Sequence, residues 1–317
     1  MAVATPTIGT RPPHQRRSRG LFSEMRRHWA DYVYVAPALL VMLFVIGYPI
    51  AYTIYLSFFS TPPSSANWYF NGIENYQRIL GDPQLSFWES TKNTFIWTVA
   101  STFFAFVLGF GAALIVNREF PGRGIIRGLL LIPYIISQVP AAYIWRWLYN
   151  SDYGLISGTL KQLGWIERSI VFLDSRDLAM PAVIVVNVWK EFPFAMVLLL
   201  AGLQTVPSGL LRAAKIDGAG TIQTFLNVTV PHLRNVILVS TILLFVANLN
   251  SFTLIWLMTG GGPAGASQIW IIKVYTLAFQ DLQYGRASAF AVILFIIMML
   301  FGYFYVKALT GQERKEA

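Results

Sequence analysis

The sequence predicts an all-α, polytopic membrane protein with six transmembrane helices. Three observations carry that expectation. Apolar residues make up 55% of the 317 and charged ones 12%, and the mean hydropathy of +0.53 is too high for an ordinary soluble domain. Six charge-poor runs reach crossing length, about 20 apolar residues at 1.5 Å each. Basic residues collect in alternate intervals between those runs, as the positive-inside rule requires.

The first run is Tyr32–Phe59, and the stretch ahead of it is too polar for a secretory signal, so it should be a retained crossing. Asn93–Asn117 and Gly128–Trp145 follow, joined by the basic turn 117–124, which is short enough to demand an antiparallel pair. Pro133 and Pro140 lie inside the third crossing, where each removes a backbone donor. The carbonyls they free need partners from a neighbouring helix, which favours a buried, kinked segment. Trp145 and Trp147 flank Arg146 where this crossing should leave the bilayer, an aromatic belt beside a snorkelling cation.

The fourth run, Phe192–Leu211, extends back through Leu178–Trp189 across the Lys190-Glu191 pair. Charge near the bilayer centre costs about 2.5–3.5 kcal/mol on insertion scales, so such residues face a wet cavity or a partner. Neighbours in a helix diverge by about 100°, so these two are not a simple pair on one face. An external position, reaching the interface, is the plainer account of both. The fifth run, Asn235–Met258, holds Asn248 and Ser251 three residues apart, hence on one face if the helix is continuous. Helix–helix hydrogen bonding and lining a polar path both suit such amides. Ala287–Val306 completes the set.

Arg11, Arg16, Arg17, Arg19, Arg26 and Arg27 precede the first crossing. Arg118, Arg123 and Arg127 follow the second; Arg212, Lys215 and Arg234 follow the fourth; Lys307, Arg314 and Lys315 follow the sixth. These are 15 of the 24 Lys and Arg residues, all on one side of a six-crossing chain, so both ends are expected in the cytoplasm. The +9 net charge therefore points to membrane lipid and not to nucleic acid. The expected organisation is a basic disordered tail over residues 1–30, a transmembrane domain over 31–310 containing a cytoplasmic loop at 206–231, and a short tail over 311–317. Residues 150–177 should be an external helix and loop, either a solvated face or a landing surface for a soluble partner.

Catalytic chemistry finds no support. There is no cysteine, and His14, His28 and His232 have no metal-ligand spacing. The glycine run Gly260-Gly261-Gly262 lacks the Lys-Ser/Thr of a phosphate cradle, so no ATPase site is expected.

Between the fourth and fifth crossings stands Arg212-Ala213-Ala214-Lys215-Ile216-Asp217-Gly218-Ala219, with Pro231 fourteen residues after Asp217 and Phe225 between them. This resembles the EAA loop of ABC-importer permeases, Glu-Ala-Ala-x-x-Asp-Gly-Ala followed by proline at that interval; Arg212 stands where the family has Glu. Phe70–Tyr76 resembles the family's Gly-Leu-x-Asn-Tyr segment, and Thr259–Pro263 its external Gly-Gly-Pro loop. The resemblance runs from about residue 30 to residue 308.

It implies a type I importer permease of the carbohydrate branch in a bacterial plasma membrane. Leu210, Leu211, Arg212, Ala213, Ala214, Lys215, Asp217, Gly218 and Ala219 would dock on a separate ATPase. Pro207 or Ser208 would start the helix, Gly218 would stop it in the left-handed region, and Asp217 would hold the turn through backbone N–H groups. Thr221–Val230 would form a second short helix. Matched positions imply a substrate cavity with Lys190, Glu191, Phe194, Asn248 and Ser251, whose amides, carboxylate and ring suit a sugar's hydroxyls and apolar faces. The implied partners are a second permease (a homologous, different chain), two ATP-binding subunits carrying ATP and Mg, an extracytoplasmic solute-binding protein and the sugar. An ion-coupled carrier is the alternative; it calls for intramembrane acids or an inverted repeat, and Glu191 is the one acid deep in a run.

Overall fold

The computed structural model of the chain describes residues 29–63 and 67–316. The basic tail expected over 1–30 lies outside them except for Trp29 and Ala30, as do His14, His28 and Ala317.

The chain divides into a unit ending at Tyr52 and one beginning at Thr53. In the first, helix α1 (Trp29–Met42) passes through a π-turn at Leu43–Gly47 into α2 (Tyr48–Leu56). Tyr48 and Tyr52, one turn apart, stack at 6.1 Å.

The second unit opens on a two-stranded hairpin, β1 (Phe59–Ser60) against β2 (Tyr69–Phe70), antiparallel with Phe59 opposite Phe70. Gly72 takes the left-handed conformation that turns the chain into α3 (Glu74–Gly81). Asn75 is buried and donates from Nδ2 to the carbonyls of Ser57 and Phe59, both at 2.9 Å, while the Tyr76 hydroxyl donates to Ser57 Oγ at 2.6 Å. The Asn-Tyr pair thus pins the end of α2 and needs no ligand to explain it.

Four helices among the described residues are long and apolar enough to cross a membrane, and six crossings result when each of two bent pairs counts as one. The long ones are Val33–Leu56, Pro83–Val116, Ala179–Gln204 and Tyr284–Tyr303. The second contains α4 (Phe87–Val116). The bent pairs are Arg123–Ile135 with Gln138–Leu148, at 95°, and Thr221–His232 with Arg234–Leu249, at 71°.

The third crossing, expected as one kinked helix, is therefore two: α5 (Arg123–Ile135) and α6 (Gln138–Leu148). Helix α7 (Leu155–Gln162) and the fourth crossing, α8 (Ala179–Gln204), come next. The loop carries α9 (Ser208–Ile216), α10 (Thr221–Thr224), a π-turn at Phe225–Thr229 and α11 (Val230–His232). The fifth crossing, expected as one run to Met258, is interrupted too. Helix α12 (Arg234–Leu249) stops, three residues intervene, and α13 (Thr253–Thr259) resumes. At 1.5 Å per residue α12 alone rises about 24 Å, short of a hydrocarbon core. Helix α14 (Trp270–Tyr275) precedes α15 (Tyr284–Glu316), which continues past the sixth crossing.

Small residues set the central packing. Ser101, Ala105, Gly109 and Ala113 recur every four residues along α4, so they form one stripe, and all are buried. Against it lie Ala195, Met196 and Leu199 of α8. A Cβ on Gly109 would stand 2.6 Å from both Ala195 Cβ and the Phe192 carbonyl oxygen. Such small-residue seams let membrane helices approach closely where no hydrophobic effect pulls them together.

Candidate functional site

The polar residues converge where the crossings are broken. Ile136 and Ser137 are extended, ending α5 and starting α6. Ile136 lies between the two helices with an extended backbone, and the ladder of α6 opens only with Ala141 N donating to Ser137 O at 3.2 Å, so the Ile136 carbonyl has no helical donor. Lys190 supplies one: its Nζ lies 2.9 Å from Ile136 O and 3.5 Å from Tyr134 O. The ammonium also stands 5.8 Å from the Tyr134 ring centroid, and Tyr134 stacks on Phe194 at 5.9 Å. Lys190 is only 6% exposed, so its charge closes the broken helix. Glu191, one position on, is half-buried.

On the same helix Asn187 stands one turn before Lys190 and faces the fifth crossing. Its Nδ2 donates to Asn248 Oδ1 at 2.7 Å, and Asn248 Nδ2 donates to Thr102 Oγ1 at 3.1 Å. Trp97 Nε1 donates to the Asn248 backbone carbonyl at 2.9 Å. Asn248 is 2% exposed and ties α4, α8 and α12 together.

The helix ends at Leu249, and Ser251 falls half-buried in the gap beyond it, its N–H donating to the Asn248 carbonyl at 3.1 Å. Asn250 caps the helix, its Nδ2 donating to Val246 O at 2.9 Å. Beyond the gap Phe252 stacks on Trp256 at 5.6 Å, with Tyr275 at 4.6 Å from Trp256. Arg146 reaches this segment through Nη1, 3.3 Å from Leu257 O.

Lys190 and Phe194 are thus brought together around Tyr134, Asn248 is engaged by Asn187 and Thr102, and Ser251 lies in the gap. Asn187, Thr102, Trp97 and Tyr134 were not singled out in the sequence. Asn187 had a signal, a lone amide within Val186-Asn187-Val188.

The loop between the fourth and fifth crossings is built as a helix, a stop and a buried root. Pro207 precedes α9, and Arg212 folds back on its first turn, Nη2 lying 3.1 Å from Ser208 Oγ. Gly218 has φ +76°, the expected left-handed stop. Backbone bonds hold the turn, Ala219 N to Ala214 O at 2.9 Å and Gly218 N to Lys215 O at 3.2 Å. Asp217 does not hold it: the carboxylate is exposed and makes no hydrogen bond or ion pair among the described residues. Its reach is outward because the 6→1 and 5→2 backbone pairings already satisfy the turn.

Leu210 is 49% exposed, Ile216 85% and Ile222 74%, with Lys215 and Ala213 exposed beside them and Leu211, Ala214 and Ala219 half-buried. The root lies opposite. Phe225 packs on Phe110 at 5.6 Å, and the fully buried Leu233 meets Gly202, where a Cβ would fall 2.8 Å from Leu233 Cδ2.

Comparison with known proteins places this geometry. Residues 30–312 match the family described as binding-protein-dependent transport system inner membrane component. The sulfoquinovosyl glycerol transport system permease protein SmoG of Agrobacterium fabrum is 35% identical over 282 residues, covering 88% of this chain and 90% of the relative. The trehalose/maltose transport system permease protein MalF of Thermococcus litoralis is 34% identical over 286 residues, covering 90% and 94%. Among solved structures, a bacterial ABC transporter that imports the acidic polysaccharide alginate aligns at a TM-score of 0.74 with 22% identity, over 91% of this chain and 99% of that one. That likeness supports the same fold, a type I importer permease.

Proposed function

Since the chain belongs to the family of binding-protein-dependent transport system inner membrane components, we propose that it is the sugar-translocating permease of an ATP-driven importer, with both termini in the cytoplasm. Relatives named for sulfoquinovosyl glycerol and trehalose/maltose support a carbohydrate, neutral or anionic. A second, homologous permease would complete the path. Two separate subunits would bind ATP and Mg and carry out hydrolysis, and an extracytoplasmic binding protein would deliver the sugar; a structural neighbour was solved with such a periplasmic protein.

The observation that carries the proposal is the exposed tip of α9 set on a buried root. An apolar ridge of Leu210 and Ile216, flanked by small residues, fits the helix-in-groove mode of docking. The freely presented Asp217 adds an acceptor for the same partner. Motion of that tip bears on Leu233 and Gly202, and through α8 on Asn187 and Lys190, which hold the fifth and third crossings at their breaks. Sugar hydroxyls would exchange with the Asn187–Asn248–Thr102 bonds, and Phe194 and Glu191 would border the path with Ser251 at the helix gap.

Uptake of labelled trehalose, maltose and sulfoquinovosyl glycerol into proteoliposomes tests this reading. Accumulation of one of them that requires ATP, the ATPase subunits and the binding protein is expected. Accumulation driven by a proton gradient alone overturns it in favour of an ion-coupled carrier.

A further inference from the structure

A cavity of about 240 Å³ lies between the hairpin that follows the first crossing and the start of the sixth. Arg78, Arg286, Gln283, Ser60, Thr61 and Tyr69 line it. The two arginines differ. Arg78 is already paired with Glu74 one helical turn away. Arg286 is half-buried, its Nη1 donates to the neutral Gln283 Oε1 at 2.7 Å, and it has no carboxylate partner among the described residues. A partly desolvated guanidinium in a polar cavity lacks a counter-charge, and its remaining N–H groups form a fork that matches phosphate geometry.

The rim gives the depth. Trp68 and Tyr284, next in sequence to the lining residues Tyr69 and Gln283, lie 6.3 Å apart, and Trp68, Tyr69 and Phe70 are all exposed. Exposed aromatic residues at the end of a crossing mark the headgroup layer. With both termini cytoplasmic, as proposed above, the ends of the first and sixth crossings here face outward. A cation at that level runs against the usual basic bias and so asks for a local anion. Basic pockets between membrane helices on the cytoplasmic side of other proteins hold lipid headgroups by the same electrostatics.

We infer that this cavity is a binding site for the phosphate of a net-anionic lipid in the outer leaflet, with Arg286 as the principal ligand and the hydroxyls of Ser60, Thr61 and Tyr69 as supporting donors. The site would clamp lipid against the joint where Gly285 N donates to Thr61 Oγ1 at 2.8 Å.

The test is native mass spectrometry of the intact transporter released from nanodiscs of equal phosphatidylglycerol and phosphatidylcholine. Wild type should retain one phosphatidylglycerol per chain above the phosphatidylcholine background; Arg286→Gln should lose it, while Arg286→Lys, which keeps the charge without the fork, and Arg78→Gln should each retain it in part. Excess inorganic phosphate should leave the lipid in place. Equal retention of both lipids, release by inorganic phosphate, or full retention in Arg286→Gln overturns the inference. The readout needs no transport, so failure of the sugar assay leaves it standing, and external quenching of a headgroup-labelled lipid reports the leaflet independently.

Discussion

Lys190 Nζ lies 2.9 Å from the carbonyl oxygen of Ile136, which stands in the break between α5 and α6 and has no helical donor. Two features separated by 54 positions in sequence are thereby one structural unit. Replacing Lys190 by Met has opposed effects. It removes a buried charge, worth about 2.5–3.5 kcal/mol on insertion scales, and it strands a carbonyl, which costs about 1–3 kcal/mol. A substitution that keeps a donor separates the two. Lys190→Gln retains an N–H without the charge, so it should be more stable than Lys190→Met by about 1 kcal/mol. Denaturant titration of the three proteins in detergent measures it, and equal stability of the two variants would refute the link.

Asn248→Leu should impair uptake while the ATPase subunit still copurifies. The substitution strands the Asn187 amide and the Thr102 hydroxyl, at a cost of about 1 kcal/mol for interhelical bonds of this kind. Asn187→Leu should do similar damage, and the double variant no more than either alone, because all three remove one network. Unchanged uptake kinetics in Asn248→Leu would remove this network from the path.

A reporter fused after Ala317 should be cytoplasmic. Fifteen of the 24 basic residues stand on one side only if both ends do. External labelling of that reporter in intact cells would reverse the topology.

Much of this molecule was legible in its sequence, for identifiable reasons. Crossing count follows from apolar run length, and the Gly218 stop from the left-handed conformation that glycine tolerates. Two backbone breaks were not legible. Pro133 and Pro140 announce a disturbance, but not a 95° bend, at which Lys190 from another crossing meets the exposed carbonyls. The break at Asn250–Phe252 is invisible to hydropathy, which counts side chains and ignores backbone. In the loop, Leu210 and Leu211 announced an apolar ridge. The most exposed apolar residue of that helix is Ile216, at 85%, which occupies an unspecified position of the motif.

Gly109→Ala should be disruptive out of proportion to its one added carbon. The new Cβ would sit 2.6 Å from the Phe192 carbonyl oxygen, part of a backbone that cannot rotate away. The helices must part, at about 1–3 kcal/mol for overpacking of this sort. Gly111→Ala, two residues along the same helix, meets nothing within 4 Å and should be tolerated. Melting temperatures of the purified variants compare them, and equal values would mean that the small-residue seam does not set the approach of α4 and α8.

Asp217→Arg and Ile216→Glu should each abolish copurification of the ATPase subunit and ATP-dependent uptake, with membrane insertion intact. Among the described residues Asp217 makes no bond that its loss would break, and Ile216 is almost wholly exposed, so neither change has a folding route to the defect. Gly218→Leu differs. There is open space around its Cβ position, but φ is +76°, and a non-glycine residue there costs about 1–2 kcal/mol. The turn should shift and docking weaken, while Gly218→Asn, which tolerates that conformation better, recovers part of it. Normal ATPase retention by Asp217→Arg and Ile216→Glu together would show that the partner grips some other surface.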